Sequence, residues 1–100
     1  MRLMGGRFVD DEVYETYVLL GVRLILRDRR AKSIMEEMKE DDPAAYGLIM
    51  ADAWRRYASL PDELRADRRK GIASLIKEGE KLQLGMIEKA REAGVFNLPE

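Results

Sequence analysis

The stretch Tyr17-Val18-Leu19-Leu20-Gly21-Val22-Arg23-Leu24-Ile25-Leu26 decides how this chain folds. Eight of its ten residues are apolar, and no other window of the 100-residue sequence is as dense. Such a segment must be covered on nearly all sides, by the rest of the chain or by another copy of it. Its β-branched and aromatic residues suit a strand, and periodicity alone does not assign a short apolar run. The flanks favour a helix. Asp10, Asp11, Glu12 and Glu15 precede the segment, and Arg27, Arg29, Arg30 and Lys32 follow it. Acids first and bases later complement a helix dipole. Val9, Val13, Tyr17, Leu20, Leu24, Ala31, Met35 and Met38 form a stripe at helical spacing. The stripe is interrupted at Asp28. The reading is one helix over 10–39, bent near Arg27–Arg29, at about 1.5 Å per residue as long as the whole molecule.

Outward from this helix, residues 1–9 read as an irregular arm containing the flexible pair Gly5-Gly6. Glu40-Asp41-Asp42-Pro43 marks a break, with Asp42 as N-cap and Pro43 as first residue of a second helix over 43–59. Tyr46, Met50, Ala53, Tyr57 and Leu60 form its apolar stripe, widened by Ile49 and Trp54. Leu60-Pro61-Asp62 ends it. A third helical region covers 62–93, with Ile72, Leu75, Ile76, Leu82, Met86 and Ala90 on its stripe and Gly71 and Gly79 as candidate breaks. The apolar tail 94–100 is expected to fold back. Gly21, Gly47, Gly79 and Gly85 fall within predicted helices, as neutral positions or as close crossings. The architecture expected is all-α: one domain, an elongated three-helix bundle running up-down-up.

Composition excludes several chemistries. Histidine and cysteine are both absent. This removes the usual general base, thiolate nucleophiles, disulfides and most transition-metal sites. No phosphate-cradling glycine loop or nucleophile-elbow motif occurs. The N-terminal residues lack the apolar core of a secretory signal. No apolar run approaches the roughly 18–20 residues that span a bilayer. No cofactor, metal or membrane partner is expected, and a cytoplasmic location is the default.

Charge is more informative. The net charge of −1 hides segregation: five bases against Asp28 over 23–32, five acids against Lys39 over 36–42, and six bases against three acids over 55–70. Arginine outnumbers lysine twelve to six. Glu36 and Glu40 share a helix face, which reads as a solvated helix end more readily than as a site for a hard cation. Arg23, Arg27 and Arg30 lie on one helix face, and with Arg65 and Arg69 they make a candidate face for phosphate or for an acidic partner. Ion pairing within the chain competes with that reading, with Asp62–Arg65 and Asp28–Lys32 as expected pairs. Arg23 sits inside the apolar window and therefore needs a carboxylate or a phosphate beside it. Tyr17, Leu20, Leu24 and Trp54 are candidate protein-interface residues, although Trp54 and Tyr57 also follow the core stripe.

The function expected is a non-catalytic helical interaction or assembly module, binding protein as a homo-oligomer or within a larger complex, a nucleoprotein complex included. One alternative is a nucleic-acid-binding regulator using a helix-turn-helix-like segment over 72–91, with Gly79 in the turn. A second is a histidine-free isomerase or mutase that clamps an anionic substrate with Arg23, Arg27, Lys39 and Arg56.

Overall fold

The computed structural model describes residues 1–4 and 6–92. In chain order its elements are β1 (Arg2–Met4), β2 (Arg7–Val9), α1 (Asp11–Ile25), α2 (Arg29–Asp41), α3 (Pro43–Ala58), α4 (Asp62–Ala66) and α5 (Arg68–Glu92). The molecule measures 45 × 29 × 22 Å. It is mostly helical, as the spacing of its apolar residues implies, but among the described residues five helices and a hairpin replace the three helices expected.

The first difference is at residues 1–9, where an antiparallel hairpin pairs Arg2 with Val9 and Leu3 with Phe8. Alternation along β1 points Met4 into the core, while the paired Leu3 and Phe8 face outward. The second difference is the division of residues 10–39 into two helices. α1 ends as a Schellman motif: the Asp28 N–H donates to the Arg23 carbonyl at 2.9 Å and the Arg27 N–H to the Leu24 carbonyl at 2.9 Å. The left-handed residue such an ending needs is Arg27, at φ 66°. Glycine is the usual residue there, so the interruption at Asp28 reads in the sequence as a bend and not as a full reversal. Asp28 then caps α2 by accepting the Arg30 N–H at 3.1 Å.

The third difference lies in residues 62–93. The interruption falls at Asp67, whose carboxylate accepts the Lys70 N–H at 3.3 Å, and not at Gly71 or Gly79. Because α5 is continuous through Gly79, segment 72–91 is not a helix-turn-helix. The α2–α3 junction matches expectation: Asp42 accepts the Ala45 N–H at 3.1 Å and Pro43 opens α3. The tail 94–100 lies outside the described residues.

The chain itself covers the apolar segment of α1. Tyr14 and Val18 join Met4, Met35, Ala45 and Ile49 in one buried cluster, with Tyr17, Leu20, Leu24 and Met38 packed against it. Leu19, Val22 and Leu26 join Ala53 and Leu75 in a second. α2 and α3 thus cover one side of α1, and α3 and α5 the other. Each such apolar side chain contributes roughly 1.5–3 kcal/mol when fully buried.

The glycines divide into two kinds. A Cβ at Gly21 would lie 2.7 Å from the Cβ of Ala53, so its absence lets α1 and α3 cross closely. A Cβ at Gly71 would lie 2.5 Å from the Leu64 carbonyl oxygen and 3.0 Å from Leu26 Cδ1. Gly47, Gly79 and Gly85 face open space. Gly21→Ala and Gly71→Ala are therefore expected to lose about 1–3 kcal/mol through overpacking. Gly79→Ala is expected to gain about 0.5–1 kcal/mol through helix propensity. Urea midpoints of the three variants check this, and equal shifts would contradict the packing described.

Candidate functional site

The arginines expected to form one anion-binding face have separate roles. Arg23 Nε donates to Asp28 Oδ2 at 2.7 Å, in a pair whose side chains are only 16% and 11% exposed. The first and last residues of the Schellman motif are thereby clasped by charge. Burial pushes the Asp28 pKa up, but the Arg23 hydrogen bond, the Arg30 and Ala31 backbone amides and the Arg23 charge outweigh it, leaving the carboxyl below its ordinary value. The partner of Asp28 is thus Arg23 rather than Lys32, which lies 3.9 Å from Glu36. Arg65 pairs with Asp62, and Lys70 with Glu63 at 2.9 Å.

Arg27, Arg29, Arg30, Arg68 and Arg69 are exposed and form no ion pair with a described residue. They flank a single junction, because Leu26 packs beside Gly71 and Gly71 approaches the Leu64 carbonyl. The α1–α2 corner and the start of α5 therefore make one basic end. Glu36, Glu37, Glu40 and Asp41 are exposed along α2 and its C-terminus. Among the described residues, no group of three or more carboxylates is placed to hold a metal ion. Among the same residues, no helix is long and apolar enough to cross a membrane.

A polar cleft of about 280 Å³ lies between the hairpin, α1 and α3. Buried Tyr14 donates its hydroxyl to Asp52, which also pairs with Arg2 at 3.3 Å and Arg55 at 3.0 Å. Arg56 pairs with Glu15 across the same cleft, and the Arg2 guanidinium stacks 4.3 Å from the Tyr14 ring centroid. Burial, then the Asp52 hydrogen bond and charge, raise the Tyr14 pKa against the opposing influence of Arg2. Each guanidinium here has a carboxylate of its own chain, so the cleft reads as a clamp for the hairpin. The four residues of the supposed isomerase clamp have different partners: Arg23 holds Asp28, Arg56 holds Glu15, Lys39 lies over the Tyr46 ring, and Arg27 is exposed.

The expected interface residues also separate. Tyr17, Leu20 and Leu24 are partly buried within the chain's own first cluster. Trp54 is 57% exposed, contrary to its position on the core stripe. Its ring meets Tyr57 edge-on at 5.9 Å, and Tyr57 packs on the second cluster. The indole is thus supported from beneath and open above.

Trp54 belongs to a wider surface. Ala45, Ile49 and Ala53 bury one face of α3, and Ala44, Gly47, Leu48, Ala51, Trp54, Arg55 and Ala58 are exposed on the opposite face. Arg55 is the one charge on that face over four turns, in a chain whose residues are 37% charged. Leu48 is 45% exposed. The exposed Ile76, Leu84 and Ile87 of α5 are interleaved with exposed Glu80, Lys81 and Glu88, and make no comparable surface.

The chain matches no family model, no curated protein and no solved structure. The geometry of its surfaces therefore carries the functional argument. The outer face of α3 was legible as the complement of the Ala45-Ile49-Ala53 stripe. A stripe that also included Trp54 hid it.

The Arg23–Asp28 clasp has a pH signature. A folded-state pKa below the unfolded one contributes stability at pH values above the unfolded pKa and loses it as pH falls through the folded pKa. Asp28→Asn is expected to cost about 1–3 kcal/mol at neutral pH. That difference from the wild type should shrink below about pH 4, where the unfolded carboxylate protonates. Urea unfolding from pH 2 to 7 measures it, and a difference independent of pH would contradict the clasp.

Proposed function

We propose that this chain is a non-catalytic interaction module, a small helical subunit that works by protein–protein binding through the outer face of α3. The observation that supports the reading is the nearly uncharged exposed surface from Ala44 to Ala58, with Leu48 and Trp54 standing out of it. Exposed apolar surface of this kind is stabilised by being covered. Tryptophan is among the residue types enriched where binding energy concentrates at an interface. The lack of histidine and cysteine, and the pairing of the cleft arginines with carboxylates of their own chain, favour binding over catalysis.

A photo-cross-linking side chain at Ala51, compared with one at exposed Ala73 on α5, tests the reading in cells producing the full chain. Protein adducts are expected at position 51 and not at position 73. Adducts at neither position, or equally at both, would overturn it.

The unpaired arginines support a second role, contact with a nucleic-acid backbone at the basic end. Binding of a labelled duplex should weaken with salt at a log–log slope of about −0.9 per phosphate contacted. Replacing Arg29, Arg30, Arg68 and Arg69 with glutamine should reduce the slope by several contacts. Binding that is absent, or unchanged in the variant, would exclude this role.

A further inference from the structure

We infer that the basic end grips a nucleic-acid duplex by both of its strands, with Arg29 and Arg30 on one backbone and Arg68 and Arg69 on the other. This rests on the reading of that end as a nucleic-acid contact and names the form of the ligand. Two helices start there. α2 opens with Arg29-Arg30 and α5 with Arg68-Arg69, and neither has an acid in its first turn. Bases in the first turn oppose the positive end of a helix dipole, and phosphate oxygens beside them relieve the conflict. The nearby carboxylates are engaged elsewhere. Asp28 holds Arg23, Asp62 holds Arg65, Glu63 holds Lys70, and Asp67 accepts the Lys70 backbone N–H. The two arginine pairs, exposed and without an ion pair to a described residue, are left to neutralise charge from outside.

The fold brings the pairs to one contact. A Cβ on Gly71 would lie 3.0 Å from Leu26 Cδ1, so the α1–α2 corner and the start of α5 touch. Arg29 comes three residues after Leu26 and Arg68 three residues before Gly71, at most about 11 Å of chain in each case. Two basic arms on separate helices, each that close to a shared contact, match two backbones that flank a groove roughly 6–12 Å wide. A single strand offers one backbone only. The rest of the surface agrees. Residues 26–33 and 61–73 contain no aromatic residue, and Leu26, Leu64 and Ile72 are not exposed. Single-strand binding relies on aromatic side chains that stack on bases, and a protein interface relies on an apolar centre. The basic end has neither and offers charge alone. Contacts to phosphate carry no sequence information, so the grip is independent of base sequence.

Fluorescence anisotropy of the full chain with a short labelled duplex, and with one of its strands alone, tests this over a range of salt. The duplex is expected to bind at least about tenfold tighter than the strand. Arg29→Gln with Arg30→Gln, and separately Arg68→Gln with Arg69→Gln, should each reduce the duplex log–log salt slope by about 1.8 and remove most of the preference for duplex. Circular dichroism should show both variants folded, since none of the four side chains holds a described residue. Equal affinity for strand and duplex, or a slope unchanged when either pair is replaced, overturns the two-strand grip and leaves the nucleic-acid reading standing. Absence of binding to both overturns both. Polyglutamate that displaces the label as well as unlabelled duplex of equal charge assigns the end to acidic protein, and also overturns both.

Discussion

The chain's reversal between α1 and α2 is the constraint on which the rest of the structure depends. A helix running unbroken over 10–39 would be about 45 Å long and would carry Ala31 and Met35 away from the residues they cover. The Schellman ending at Arg27 and the Arg23–Asp28 pair turn the chain back within three residues. Ala31 and Met35 then bury completely, with Met38 packed beside them. The left-handed conformation of Arg27 costs about 1–2 kcal/mol. Two satisfied backbone carbonyls and a largely buried ion pair offset it. Asp28 serves both helices, receiving the Arg23 guanidinium from one and the Arg30 amide of the other.

Once α2 is folded back, α3 packs along α1 between α2 and α5, and Gly21 lets it approach closely enough for Ala53 to bury. That close seat uses only one side of α3. The opposite side is left with small residues, Leu48 and Trp54, and almost no charge. A solvated helix face in so charged a chain normally carries lysine and glutamate, as the outer faces of α2 and α5 do. The contrast between α3 and its neighbours is what gives the interaction reading its physical content. The unpaired arginines form a separate feature, set at the α1–α2 corner and the start of α5.

Much of this was legible in the sequence, and the failures have identifiable causes. The helical class, the Asp42-Pro43 junction, the Asp62–Arg65 pair and the need of Arg23 for a partner all follow from local chemistry that the fold retains. The break at Arg27 was missed as a full reversal because its left-handed position lacks the usual glycine. The hairpin was missed because β1 and β2 are three residues each, too short for alternation to register. Gly71 and Gly79 suggested breaks that α5 does not make; at Gly71 the missing side chain makes room for Leu64 and Leu26 instead. Trp54 follows the core spacing of α3 but lies past the edge of the buried face, so its hydrophobicity serves the surface. Periodicity identifies a helix face well and locates the boundary of that face poorly, and the candidate site lies at such a boundary.

The central claim is that the Schellman reversal at Arg27, held by the Arg23–Asp28 pair, folds α2 back onto α1. The distance between spin labels attached at exposed Asp11 and Glu40 tests it most directly. An unbroken helix would hold the two positions about 44 Å apart along its axis, and the account predicts a distance well below that. A distance near the unbroken length would contradict it.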